Sequence, residues 1–493
     1  MTPHPRTDAP WDDQAATGKL AGSVRGPVLV AGDDGYDEER VRYQTFRPHA
    51  PALVVGAVDG EDVRLAVEFA AVHGLPVGVQ ATGHSPALPA RTGVLISTRR
   101  MNEVRIDPVS RTARLGAGVS WQQVVTAAAP HGLAPLSGSA PHVGAVAYTL
   151  GGGLGLLARR FGYAADQVRR LGAVTVDGRL REIDADREPE LFWALRGGRD
   201  NFGVVTDLDI GLVPVERLYG GALYFDGALA EEVVNAWLHW TAGVPEEMTS
   251  SLALVPLPDL PSLPPPLRGR YVVHVRIAFL GAAAEGERLA APLRALGPRL
   301  ADTLRILPYT ESGTIHNDPV PPAGYSGTNA MLSGLDADAV RRVLALTGPD
   351  APVTSIVEVR HLGGALGRAP EPANSVGNRD AAYLLAVLNR VTPRTADTVH
   401  AAHLRLTDTL APLTTGRSLN FLYGAHATPA QVAMAYSPDD YRRLRRLKAE
   451  WDPSNLLRHN HNIPPADAPR GLLMDLRGVA TPGTHSRRTG RKP

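Results

Sequence analysis

Cysteine is absent from all 493 residues, which excludes disulfides, thiolate metal sites and cysteine nucleophiles. Lysine is nearly absent: Lys19, Lys448 and Lys492 are the whole complement, so a Schiff-base lysine has few places to stand. No run of about 18 apolar residues offers a membrane span, and the start MTPHPRTDAPWDD lacks the basic flank and apolar core of a secretory signal. The expectation is a cytoplasmic protein. Excess charge of either sign is missing too: 51 basic residues against 50 acidic ones leave +1. No field therefore draws the chain to nucleic acid or an anionic membrane. GxxxxGK[ST], HExxH and GxSxG do not occur, which removes the simplest phosphate loop, zinc protease and serine hydrolase. The partner expected is a small molecule.

Glycine is plentiful, and its placement is the strongest signal. Ser137–Val168 reads SGSAPHVGAVAYTLGGGLGLLARRFGYAADQV. Gly151, Gly152, Gly153 and Gly155 leave no side chain where a backbone turns tightly or lies against a ligand. Together with Ala81-Thr82-Gly83-His84-Ser85, the segment predicts a bound dinucleotide.

The length allows about two to four domains. Residues 1–35 are polar and aperiodic and read as an N-terminal extension, and the Pro-, Gly- and Arg-rich stretch 466–493 reads as a disordered tail. Residues 52–58 and 76–82 read as strands around a helix marked by Val63, Ala66, Val67 and Ala70 and closed by Gly74. Ser120 and Gln123 form a capping box, and Asp177-Gly178 a hairpin turn. After Pro214 the composition shifts to helices (229–242) and alternating strands such as YVVHVRIAF (271–279). The proline-rich span 256–266 reads as a surface loop. Ser437 and Pro438 open a helix that stops at Asp452-Pro453.

Two rival motifs occur. Gly153–Ala158 fits a GxGxxA dinucleotide fingerprint with Asp177 as the ribose acid, a nicotinamide-dehydrogenase reading. That Asp, however, sits in a hairpin turn, and about 140 residues precede the supposed first strand. His459 and His461 alternate on an extended chain, but a pair without a third ligand makes a weak metal site, and none is expected.

Four ordered segments, VQATGHS (79–85), 141–168, ELFWALRGGRDNFGVVTDLDI (190–210) and YRRLRRLKAEWDPSNLLRHNHNI (441–463), resemble the FAD-linked oxidases of the vanillyl-alcohol oxidase and para-cresol methylhydroxylase (PCMH) superfamily. Within it the resemblance is to the berberine-bridge-enzyme-like group. It implies an α+β fold: a two-subdomain FAD-binding domain of the PCMH type (36–215), and a substrate domain (216–430) with an antiparallel sheet flanked by helices. A C-terminal segment (431–465) would return to the FAD domain. The cofactor contacts implied are Ala81, Thr82, Gly83, His84, Ser85, Ser139, Val143, Gly144, Gly151, Gly152, Gly153, Gly155, Gly203, Val204, Val205, Asn460 and Asn462. His84 matches the histidine bonded to the flavin 8α-methyl. Many relatives add a cysteine link, but Ala140 stands there, so FAD would be held by one covalent bond.

The activity implied is transfer of a hydride from an alcohol, amine or lactol carbon of a small organic molecule, a secondary metabolite, to the flavin, with O2 as acceptor. The alternative is a redox-neutral cyclisation on the same fold. Ser418 and Phe421 replace tyrosines common in relatives, which leaves His361 and Tyr423 as candidate bases. Histidine titrates at about 6.5 and tyrosine at about 10, so the two would behave differently with pH.

Overall fold

The structure, a computed structural model, describes residues 11–84 and 89–467. Ser85, expected at the cofactor, lies outside the described residues, as does most of the 466–493 stretch.

The strand-helix-strand unit forms as the periodicity predicts. Strands Leu53–Gly56 and Val77–Gln80 flank helix Gly60–Val72, and both pair in parallel with Val94–Ser97. Asp59 starts the helix by accepting hydrogen bonds from the Glu61 and Asp62 amides at 2.9 and 3.1 Å. Its buried face is Val63, Ala66, Val67 and Ala70.

Strand Val28–Leu29 completes this sheet, and helix Gln14–Ala21 packs Leu20 into the same core. The N-terminal extension thus carries structure that its polar composition hid. Leu20 and Val24 are buried in that core, and Trp11, Val28 and Val30 pack against it.

A second, five-stranded antiparallel sheet orders Val104–Asp107, Thr112–Gly116, Val204–Gly211, Val168–Val174 and Leu180–Ile183. The Gln123 side chain closes the capping box on the Ser120 amide at 2.9 Å. The turn between the last two sequential strands holds Gly178 at φ +72, which glycine adopts without a Cβ clash.

The third sheet has nine strands, and all its pairings are antiparallel. One face packs against helices Ala230–Thr241, Ala283–Arg294, Ala337–Thr347 and Ala396–Leu410 through residues such as Val273, Val275, Leu252 and Leu254. Alternation sends Val272, His274 and Arg276 to the opposite face. The α+β architecture, with helices on one side of an antiparallel sheet, stands as expected.

Helix Pro438–Trp451 then brings the chain back. Lys448 and Asp452 are both fully buried; the Lys448 ammonium donates to Asp452 at 2.7 Å, to the Asn201 carbonyl at 2.7 Å and to the Leu457 carbonyl at 2.9 Å. The Val77 amide donates to the Leu456 carbonyl at 2.9 Å, so residues 456–463 run beside the small parallel sheet.

Candidate active site

Between the two smaller sheets and the free face of the large one lies a cavity of about 1550 Å³. That exceeds the roughly 300–1,000 Å³ of an ordinary small-molecule site, so it has room for a dinucleotide and a second molecule.

The loop after Val77–Gln80 supplies Ala81, Thr82, Gly83 and His84 to the wall. Its shape is fixed by neighbours: the Tyr43 and Gln44 amides donate to the Thr82 and Gly83 carbonyls at 3.2 and 3.0 Å. The Gly144 amide donates to Thr82 Oγ1 at 3.1 Å, and that hydroxyl lies 3.0 Å from His84 Nδ1. The imidazole stacks on Tyr43 with centroids 3.8 Å apart, and Tyr325 Oη donates to the His84 carbonyl. Burial, then His142 and Arg42, pushes the His84 pKa down to about 3, so the ring is neutral at physiological pH. Among the described residues its Nε2 is buried with no partner. A neutral imidazole with a free nitrogen can act as a nucleophile.

Ser139, Val143, Gly144, Val205 and Asn460 also line the cavity. The glycine run does not. A Cβ on Gly153 would stand 2.6 Å from Tyr148 Cε1 and 2.7 Å from Ala164 Cβ. On Gly155 it would overlap the Ser137 carbonyl, and on Gly151 the Asn420 side chain. The space these glycines leave is filled by protein, and their effect is to seat Tyr148 and Leu154, which do face the cavity. Gly152, at φ +102, faces Val376 and Tyr163. Gly203, Val204 and Asn462 also stand off the cavity wall: Val204 is wholly buried in the core beside Val174. Gly153–Ala158 joins helices Ala145–Leu150 and Ala158–Phe161 rather than following a strand, and Asp177 pairs with Arg181 at 2.7 Å. The nicotinamide reading therefore has no geometry behind it.

Of the two candidate bases, Tyr423 lines the cavity and His361 does not. His361 Nδ1 is taken by Arg159 Nη1 at 2.8 Å, and burial plus that guanidinium lowers its pKa to about 3. The expectation for His361 is corrected on those grounds. Tyr423 packs edge-on against Tyr325, centroids 5.5 Å apart, and so stands at the His84 end. Burial raises its pKa to about 12, with Arg360 and Arg199 opposing the rise.

The large sheet contributes side chains that the motifs did not flag. Glu358 bridges Arg276 at 2.5 Å and Arg360 at 3.0 Å. Burial works against its ionisation, yet Arg360 and Arg276 hold its pKa below the usual carboxylate value. The signal was there in HVR (274–276) and EVR (358–360): charged or polar residues two apart in otherwise buried strands mark one shared face. From the FAD side, Arg199 reaches Asn420, whose Nδ2 donates to the Tyr148 carbonyl at 2.9 Å.

Among the described residues, the cavity-lining polar atoms buried without hydrogen-bond partners are His84 Nε2, Tyr148 Oη, Arg199 Nε, His459 Nε2 and Asn460 Oδ1, together with His274 Nε2, His316 Nδ1 and Arg360 Nε on the opposite side. Their spread over the wall fits a long ligand with polar groups along its length, as a dinucleotide has. FAD would be held by the 81–84 loop, residues 139–144, Val205 and Asn460.

Comparison with known proteins agrees. Residues 51–184 match an FAD binding domain model, and residues 425–464 match a model described as berberine and berberine like. The (R)-6-hydroxynicotine oxidase of Paenarthrobacter nicotinovorans is 29% identical over 468 residues, covering 90% of this chain and 97% of that one. The crystal structure of 6-hydroxy-D-nicotine oxidase from Arthrobacter nicotinovorans superposes with a TM-score of 0.76 at 25% identity, over 90% of this chain and 98% of that one. The xylooligosaccharide oxidase from Myceliophthora thermophila shares the fold, with a TM-score of 0.81 at 20% identity over 92% and 100% of the two chains. A cofactor loop, a returning C-terminal segment and these likenesses converge: the chain belongs to the PCMH-type FAD-linked oxidases, within the berberine-bridge-like group, and is an FAD-dependent oxidoreductase.

Proposed function

We infer that the protein oxidises a small organic molecule at an alcohol, amine or lactol carbon, using FAD bonded to His84 alone. FAD, when bound, supplies the two-electron acceptor for a substrate hydride, with O2 proposed as the final acceptor. The observation that carries this reading is the His84 imidazole: neutral, oriented by Thr82 and Tyr43, and with Nε2 unpartnered among the described residues at the end of the cavity where Tyr325 and Tyr423 meet.

Tyr423 is the proposed proton handler. As a phenol with a pKa of about 12 it is protonated at neutral pH and donates a hydrogen bond to the substrate oxygen or nitrogen. It accepts that group's proton only as phenolate, which Arg360 and Arg199 favour. Substrate oxidation should therefore speed up with pH on the alkaline side.

Acid precipitation of the holoprotein tests the attachment. Flavin should stay with the polypeptide and map to the His84 peptide. Release of all flavin as unmodified FAD would overturn the covalent claim, and oxidation without hydrogen peroxide formation would overturn the choice of O2.

A further inference from the structure

The cavity wall formed by the nine-stranded sheet is graded, and the cross-strand register shows how. Ser251 stands opposite both Arg276 and Arg360, which makes a charged row. Two residues along each strand, Ala253 stands opposite both His274 and Glu358. Two further on, Val272 faces Val255 and Ile356 faces Leu388, an apolar row. A strand advances about 3.3 Å per residue, so charged and apolar rows lie about 13 Å apart.

Beyond the apolar row the lining mixes polar residues, Thr354, Asn389, Arg390, Ser262 and Asn317, with apolar ones. Leu257, Leu260, Leu263 and Leu267 come from the proline-rich loop, which borders the cavity instead of merely covering surface, and Val320 comes from the loop after Asn317. Leu260 is 49% and Val320 67% exposed. Single exposed hydrophobic residues are ordinary; two on separate loops at the rim of one cavity, continuous with an apolar row inside it, form a ligand-facing surface.

At the inner end Glu358 lies between two guanidinium groups, and Asp318, also in the lining, acts on Arg360 from further off. Arg276 donates through Nη1 to Glu358 and through Nε to His274 Nδ1 at 3.2 Å. Its Nη2 has no hydrogen bond among the described residues.

We propose that the substrate is amphipathic: an apolar body of about two fused rings lies along the Val272–Val255 row and under the 256–267 loop, and an oxygen-bearing, hydrogen-bond-accepting head reaches Arg276 and Arg360. The proposal rests on the oxidoreductase reading and narrows its substrate class. It disfavours oligosaccharides, because burying sugar hydroxyls against Val, Leu and Pro leaves them without partners.

The test is calorimetric titration of the flavin-loaded protein with 2-naphthoate, naphthalene and cellobiose. Binding of 2-naphthoate, tighter than naphthalene and with cellobiose silent at equal concentration, is the expected result. In the double variant Leu260→Asp and Val320→Asp, both sites being exposed and tolerant of charge, 2-naphthoate affinity should fall about ten-fold or more, the scale of a lost apolar side-chain contact. Cellobiose binding as well as 2-naphthoate, or unchanged affinity in the double variant, would overturn the proposal. Flavin content is read separately from absorbance. A yellow protein that ignores 2-naphthoate defeats this inference alone, whereas a protein left colourless by FAD that still binds 2-naphthoate defeats only the cofactor reading.

Discussion

The two walls of the cavity are built on different principles. The FAD-side wall is set by backbone: the 81–84 loop and residues 138–144 are held by amide-to-carbonyl bonds from neighbouring segments and present mostly small residues, with the His84 and His142 rings among them. The opposite wall is side chains on a regular sheet, where register alone decides what meets what. A backbone wall needs particular residue types at consecutive positions and so leaves a linear motif. A sheet wall needs one residue in two from strands far apart in sequence, and its composition can change row by row without altering the fold.

The strongest way to break the FAD-side wall is to unfasten what holds it shut. Lys448→Met leaves Asp452 buried without its cation, a loss of about 3–5 kcal/mol, and urea unfolding of the flavin-free protein should show it. A cost below 1 kcal/mol would mean the C-terminal segment is held otherwise.

On the sheet side the largest effect expected is kinetic. Tyr423→Phe should slow anaerobic flavin reduction by about 10² to 10⁴-fold with flavin still bound, and should abolish the alkaline rise in rate. His361→Ala should do neither, since its ring is occupied by Arg159. The reverse pattern would restore His361 as the base.

Gly153→Ala sharpens the comparison further. If the missing Cβ makes room for Tyr148, the flavin-free protein itself loses about 1–3 kcal/mol, from overpacking and a φ of +78. Had the cofactor filled that space, the flavin-free protein would lose only the backbone share, about 1–2 kcal/mol, without the overpacking share, and flavin affinity would drop as well.

Acid should weaken both walls together, with a smaller effect. Burial lowers His84 and His461 to about 3, and His403 to about 4, so the unfolded chain takes up protons below about pH 6.5 that the folded one refuses. Stability is therefore complete above about pH 6.5 and falls as pH drops toward 4. A loss of at least about 1 kcal/mol between pH 7 and pH 5 is expected in urea titrations, and a flat profile would contradict it.

Much of this was legible in the sequence. The Ser120–Gln123 box, the Asp177-Gly178 turn and the Leu53–Gln80 strand-helix-strand unit formed as read, because each is encoded within a few residues. The place of His84 on the cavity wall was legible because its motif is contiguous. The glycines at 151–155 read as cofactor contacts, but sequence does not say whose atoms fill the space a Cβ would take. Tyr148 and Ser137 fill it. Arg276, Glu358 and Arg360 went unnoticed because 82 residues separate Arg276 from its carboxylate, and only the pairing of two strands through a third joins them.

The returning segment has a consequence for biogenesis. His459, Asn460 and His461 complete the cavity wall, and His461 Nε2 donates to the Leu422 carbonyl at 2.7 Å. During synthesis, then, the FAD-binding half leaves the ribosome with one side of its site open, and stays so until more than 200 further residues have been added. The cavity wall is therefore complete only once the last helix and the residues after it have docked.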